Sequence, residues 1–208
     1  MVDFVVTGLS ANSVPYVEAL ELQRATHHAV VTGASPDTVM FLEHPSVYTA
    51  GKRTEDHERP TDGTPVIDVD RGGKITWHGP GQLVGYPILR LPEPIDVVGY
   101  VRRLEGILID ALARLQIEAD RVEGRSGVWM RGTDKIAAIG IRVAHGVTMH
   151  GFSLNCNNTF EAYDRIVACG LADAGVTSIS RELGRDVPTT HVVPIVQAAF
   201  IDTMVGMR

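Results

Sequence analysis

Apolar residues along this chain follow two different periods. Between residues 97 and 115 they fall at Val97, Val101, Leu104, Leu108, Ala111 and Leu115, steps of four and three that place them on one helix face. Asp96 stands where such a helix takes its N-cap. An earlier helix is expected over 14–32, with Pro15 in its first turn and Gly33 at its stop. Elsewhere the apolar runs are short and bounded by turn residues, and they predict strands over 38–42, 66–70, 83–89, 125–130, 135–143 and 147–155. Thr133-Asp134 reads as the turn of the hairpin that joins 125–130 to 135–143, and 147–155 pairs with the latter. A short helix over 160–167 and helical stretches over 177–183 and 190–205 close the chain, the last disturbed by Pro194.

Strands outnumber long helices, and many are joined by turns too short for a crossover. That predicts an α+β fold in which helices pack on a mixed, largely antiparallel sheet, not a doubly wound one. The 208 residues suit one domain, 1–208, without internal repeats or a long linker. Residues 52–65, charged and carrying Pro60, Gly63 and Pro65, read as a surface loop.

A net charge of −6 argues against nucleic acid as a partner, because such proteins carry a basic excess. Lys52, Arg53, Arg71 and Lys74 still lie close together in sequence and predict a local basic rim. No run of 18 apolar residues is present, so no membrane-spanning helix is expected. The first residues lack a basic stretch followed by an apolar one, and the two cysteines, Cys156 and Cys169, are too few for a disulfide framework. The expected location is the cytoplasm.

Chemistry-bearing residues concentrate in three stretches. A lysine opens the apolar run at Lys135, His150-Gly151-Phe152-Ser153-Leu154-Asn155 follows, and Cys169 sits between small residues. A lone amine and a lone thiol beside strand-like segments point to acyl transfer through a thioester, against the plainer reading of a buried cysteine and a surface lysine. The glycine-rich stretch 71–82 lets backbone approach a ligand closely. It misses the dinucleotide spacing, and it lacks the Gly-Lys-Ser/Thr of a phosphate-binding loop. His44, His78 and His150 have no second ligand at metal spacing, and His27-His28 have no third, so no metal is expected.

Read together, Glu43-His44-Pro45, Arg71-Gly72-Gly73, Thr76-Trp77-His78-Gly79-Pro80-Gly81-Gln82, Gly124-Arg125-Ser126-Gly127-Val128-Trp129, Lys135-Ile136-Ala137-Ala138-Ile139-Gly140, His150–Asn155 and Cys169-Gly170 occur in one order. In that order they resemble the octanoyltransferases of lipoate synthesis, the lipoyl(octanoyl) transferases, and among them the actinobacterial branch. The chain departs from that pattern at Lys74, where many members carry glutamine, and at Ala168, where a proline often precedes the cysteine.

The resemblance implies the catalytic fold of biotin and lipoate protein ligases, with Cys169 as nucleophile and Lys135 as its acid/base partner. It implies substrate binding by Arg71, Gly72, Gly73, Lys74, Ile75, Thr76, Trp77 and His78, by Ala138, Ile139 and Gly140, and by Gly151, Phe152 and Ser153. The implied donor is octanoyl-acyl carrier protein. The implied acceptors are lipoyl domains of 2-oxoacid dehydrogenase subunits and the glycine cleavage H protein. No cofactor is implied, and the chain is expected to act as a monomer. Two other classes share features with this reading: an ATP-dependent ligase, which needs the lysine but no cysteine nucleophile, and a non-catalytic carrier-binding module.

Overall fold

In the computed structural model, which describes residues 2–166 and 174–205, two sheets share the chain. Strands β1 (Val2–Gly8), β2 (Asp37–Leu42), β6 (Gln82–Ile88), β7 (Asp120–Val122), β8 (Arg125–Met130), β9 (Asp134–Ala144), β10 (Val147–Asn155) and β11 (Gly175–Val176) build the larger one. Its order is β1-β2-β6-β10-β9-β8-β7, with β11 added beside β9. Only the β1–β2 and β11–β9 pairings are parallel, so the sheet is mixed and largely antiparallel, as the short connections require. A small sheet of β3 (Val47–Ala50), β4 (Val66–Asp68) and β5 (Thr76–His78) stands apart from it.

Helices cover both faces of the large sheet. Helix α1 (Tyr16–Thr32) packs on β2, β6 and β10, while α2 (Val97–Arg114) and α4 (Thr189–Val205) pack against each other and on the opposite face. The short helix α3 (Ile179–Leu183) precedes α4. Gly33 stops α1 in the left-handed conformation, and its N–H returns to Ala29 O and Val30 O. Asp96 caps α2 by accepting from Gly99 N at 2.8 Å. The predicted α2 stripe is buried at Leu104, Leu108 and Ala111, whereas Val97 in the first turn is exposed. Helix α4 runs through Pro194 because Val192, Val193, Val196, Ala199 and Phe200 are all buried in the main core. Each buried valine or phenylalanine of this set contributes about 1.5–3 kcal/mol, enough to offset a lost helical hydrogen bond.

Several elements differ from the sequence expectation. The hairpin turn lies at Arg131-Gly132, both at positive φ, and not at Thr133-Asp134; Thr133 N bonds back to Met130 O. Residues Glu161–Arg165 form one 3-10 turn where a helix over 160–167 was expected. Strands β1, β3, β5, β7 and β11 were not expected from the sequence.

The carboxylate of Glu43, 2% exposed, fastens three distant segments together. It accepts from Ser10 N at 2.9 Å, from Gly81 N at 2.7 Å and from the Thr189 hydroxyl at the start of α4.

Candidate functional site

A cavity of about 260 Å³ opens where the α1 face of the large sheet runs out of large side chains. Its floor is made by register neighbours on two strands, Gly140 opposite Gly151 and Ala138 opposite Ser153. Val84 and Tyr86 of β6 continue the floor, and Tyr16 of α1 closes it beyond them. The other face of the same strands carries Leu83, Ala137 and Leu154 into the main core.

The segment 71–78 forms the cover, and it is tied directly to the floor. Gly72 N bonds Ile141 O at 2.9 Å, and a Cβ at Gly140 would stand 2.9 Å from Gly72 O and 3.0 Å from the Arg71 side chain. Only a glycine at 140 lets the cover lie so close. Arg71 is 7% exposed and organises this loop from within. Its guanidinium donates to Gly72 O, Lys74 O, Thr49 O and the Thr49 hydroxyl at 2.8–3.0 Å. Lys74 donates to Glu55 at 2.9 Å and to the buried Glu58 at 2.5 Å. The expected basic rim is therefore corrected: Arg71 is interior, Lys74 is held by two carboxylates, and Lys52 and Arg53 are the exposed cations.

Strand alternation decides which residues of the cover reach the cavity. Thr76 and His78 line it, while Ile75 and Trp77 point the other way and pack with Tyr48. Gly73 and Lys74 also line it; Gly72 stands outside the wall and holds the cover to β9. Ile139 and Phe152, although rooted in the main core, contribute to the wall as well.

Lys135 reaches the cavity through an irregularity in β9. Val128 of β8 pairs with Ala137 and Trp129 with Lys135, so Ile136 is an extra residue opposite no partner. Strict alternation back from Ala138 would put residue 136 in the cavity and residue 135 in the core. The bulge reverses this: Ile136 is buried in the main core and Lys135, 8% exposed, lines the cavity. Its ammonium stands 4.6 Å from the centroid of the Trp129 ring, and it meets no carboxylate among the described residues. Arg125 stands 5.8 Å from the same ring. Gly127, at φ 108°, sits beside the lysine stem, and its N–H is held at 3.0 Å by the fully buried Glu105 of α2.

Beyond the undescribed residues, the chain resumes alongside this lysine. Val176 is the register partner of Lys135, and Thr177 N bonds Lys135 O at 3.1 Å. Cys169, like Ala168 and Gly170, lies outside the described residues. Cys156 lies in the main core, fully buried, and burial pushes its thiol up to about 12. That thiol is a packing group, not a nucleophile at neutral pH.

A buried polar chain runs from the cover to the same region. The Thr49 hydroxyl contacts His78 Nε2 at 3.4 Å, His78 Nδ1 donates to Gln82 at 2.8 Å, and the Gln82 amide donates to Asn155 and Tyr163, each at 2.9 Å. Asn155 then donates to Thr177 O at 2.9 Å. Burial lowers His78 to about 3 and His44 to about 4, so both are neutral acceptors and donors at pH 7. His44 donates from Nδ1 to Val14 O at 2.6 Å and accepts from the Tyr86 hydroxyl at 2.7 Å. His150 also lines the cavity. Its backbone is left-handed, φ 58°, and its Nε2 meets Asp70 at 2.8 Å, with Arg142 on the other Asp70 oxygen. Burial lowers the ring below the usual imidazole range although Asp70 opposes this.

Sequence reasoning missed Val84 and Tyr86 as wall residues, because a strand buried on both faces reads as uniformly apolar and does not show which face is hollow, and it missed Tyr16 because that residue reaches the cavity from helix α1. Gly124, Arg125, Ser126 and His150 stood in recognised motifs without an assigned place, and all four line the cavity.

The lipoyl protein ligase A/B catalytic domain model matches residues 15–201. An octanoyltransferase of Clavibacter michiganensis subsp. michiganensis is 68% identical over 209 aligned residues, covering 97% of this chain and 90% of the relative. An octanoyltransferase of Leifsonia xyli subsp. xyli is 64% identical, covering 96% and 92%. Among solved structures, a bipartite lipoate protein ligase from Thermoplasma acidophilum superposes with a TM-score of 0.75 at 13% identity, covering 97% of this chain and 83% of that one. At that identity the likeness concerns the fold.

Proposed function

The chain belongs to the lipoyl protein ligase A/B catalytic domain family and is, within it, an octanoyltransferase, and we propose that it carries the acyl group on Cys169 with Lys135 as proton partner. In this reading 1–208 is one catalytic domain that works as a monomer in the cytoplasm. The donor is octanoyl-acyl carrier protein, and the acceptors are lysines of lipoyl domains in 2-oxoacid dehydrogenase subunits and in the glycine cleavage H protein.

The observation that carries the reading is the placement of Lys135. A one-residue bulge turns its ammonium into a cavity floored by glycine, alanine and serine, beside the strand that follows Cys169 by six residues. Cys156 is fully buried with a raised thiol, which leaves Cys169 as the cysteine suited to nucleophilic attack.

A free thiol is only a few per cent thiolate at neutral pH, and an ammonium beside it favours ionisation. The Cys169 thiol gives its proton to the neutral Lys135 amine, forming the thiolate–ammonium pair, and the thiolate attacks the carbonyl carbon of the carrier thioester. A new carbon–sulfur bond forms, the old one breaks, and the departing carrier thiolate takes the proton from the Lys135 ammonium. The acceptor amine then attacks the acyl-enzyme, its extra proton passes to Lys135, and the Cys169 thiolate leaves as the amide forms. A thioester becomes an amide, a downhill exchange that needs no nucleotide. Burying about six methylenes supplies about 5 kcal/mol of acyl binding at ~0.8 kcal/mol each.

The fold shared with lipoate protein ligases favours one competing reading, ATP-dependent activation of a free acid. Intact mass separates the two. Incubation with octanoyl-acyl carrier protein alone is expected to add one octanoyl group to the chain, removable by hydroxylamine and absent from Cys169→Ser. No adduct without ATP, and transfer only with free octanoate and ATP, would overturn the transferase mechanism.

A further inference from the structure

Trp129 carries two of the cations that line the cavity, Lys135 at 4.6 Å and Arg125 at 5.8 Å from its ring centroid. The indole is 1% exposed, and its Nε1–H has no hydrogen-bond partner among the described residues. Burying an unpaired N–H costs about 1–3 kcal/mol, which a phenyl or aliphatic side chain would avoid. Packing alone does not account for an indole here; the part of it in polar use is its π face.

Among the described residues, Lys135 forms no ion pair. On β9 itself, Asp134 is paired with Arg131. Glu105, reaching in from α2, is spent on Gly127 N, Arg102 and Arg121. From the cover come Arg71, Lys74 and the neutral His78, and from β8 the further cation Arg125. Val176 and Gly175 of β11 bring no charge. Among the described residues, the Trp129 ring is the attractive surface that this buried ammonium meets. Ring quadrupoles hold a desolvated ammonium more strongly than an exposed one, and tryptophan more strongly than phenylalanine.

We propose that Trp129 is a positioning residue for the transfer reaction, its π face holding the Lys135 ammonium over the cavity without the carboxylate that would neutralise it there. The point of using a ring is chemical. A carboxylate partner would compete with the thiolate for the ammonium and hold its proton more tightly, whereas a ring holds the cation more weakly and leaves its proton available. The proposal rests on the Cys169–Lys135 reading above.

The test uses the full chain and two readouts, the pH midpoint for alkylation of Cys169 by iodoacetamide and the single-turnover rate of octanoyl transfer. Trp129→Leu is expected to move the midpoint to higher pH, in the direction of Lys135→Ala, and to slow transfer about tenfold. Trp129→Phe is expected to fall between. In a Lys135→Ala background the Trp129→Leu change should move the midpoint no further, because the interaction it removes is already gone. An unchanged Trp129→Leu midpoint, or the same extra shift in both backgrounds, overturns the proposal. A Lys135→Ala midpoint equal to wild type overturns the dyad itself, and the proposal with it.

Should the leucine variant fail to fold, fluorinated tryptophans supply the measurement with the shape kept. Trp77 is the other tryptophan, and no cation stands over it among the described residues. Each added fluorine weakens the negative face of the ring, so the midpoint should climb stepwise with fluorine number. A flat series sinks the proposal.

Discussion

Lys135 and Ile136 are neighbours in sequence that exchange the faces alternation would give them, the lysine entering the cavity and the isoleucine the core. A strand side chain changes face with every residue, so one unpaired residue suffices for the exchange. Inserting one residue between Val128 and Trp129 would give Ile136 a partner across the ladder, and should straighten β9 and swing Lys135 into the core, abolishing octanoyl transfer. Ile136→Val keeps the bulge and should cost only about 0.5–1.5 kcal/mol of stability, with transfer near wild type. An insertion variant that transfers normally would show that the bulge does not aim the lysine.

The two cysteines should separate cleanly. At pH 7.5 a soluble thiol reagent is expected to label one cysteine per native chain, mapped by peptide mass to Cys169, and both after denaturation. Cys156→Ala should still form the acyl adduct, because its buried thiol belongs to the main core. Native labelling at Cys156 would contradict its burial.

Gly140→Ala places a methyl group 2.9 Å from Gly72 O. The cover must then lift or the strand shift, at a cost of about 1–3 kcal/mol. The Michaelis constant for octanoyl carrier protein should rise while Cys169 alkylation in the free protein stays the same. Equal kinetics would mean that the cover does not lie on the floor when substrate is bound.

Acid should destabilise the fold before carboxylates begin to titrate. His44 and His78 are held near 4 and 3, below the 6.5 of a free ring, so below pH 6.5 the unfolded chain binds protons that the native one refuses. Stability is then unaffected by these groups above about pH 7 and falls as the pH drops from 6.5 towards 4. The limiting slope for two sites is about 2.7 kcal/mol per pH unit. Urea midpoints measured between pH 7 and 5 check this; a flat series would mean that both rings ionise in place.

Lys52 and Arg53 remain as the exposed pair after Arg71 and Lys74 are accounted for. Reversing both charges should weaken apparent affinity for an acidic acyl carrier protein at low salt, and the difference should shrink as ionic strength rises. A salt-independent effect would point to lost packing instead.

The framework was legible where pattern and packing agree. The α2 stripe, the cap at Asp96, the stop at Gly33 and the β8–β9–β10 succession follow from local chemistry, and so does the α+β class. The cavity was legible only as motifs. Residues 138–140 and 151–153 announce small side chains, but which face they hollow depends on strand register, and Tyr16 enters from a helix more than a hundred residues away in sequence. The aim of Lys135 was not legible at all, because a bulge is a relation between two strands. The basic rim failed for a similar reason: Arg71 and Lys74 are near Lys52 and Arg53 in sequence, yet their partners are backbone carbonyls and the glutamates of the intervening loop.

The Glu43 clamp bears on when the protein becomes competent during synthesis. By Ser153 the ribosome has delivered every described residue that lines the cavity, and the first two groups gripped by Glu43, at Ser10 and Gly81, have long since emerged. The third, Thr189, follows Glu43 by 146 residues. Contacts of such separation form late, since the intervening chain must be ordered before they contribute. A nascent chain therefore displays the described cavity residues on a frame whose last fastening is still inside the exit tunnel, and the frame is closed only once the start of α4 has emerged.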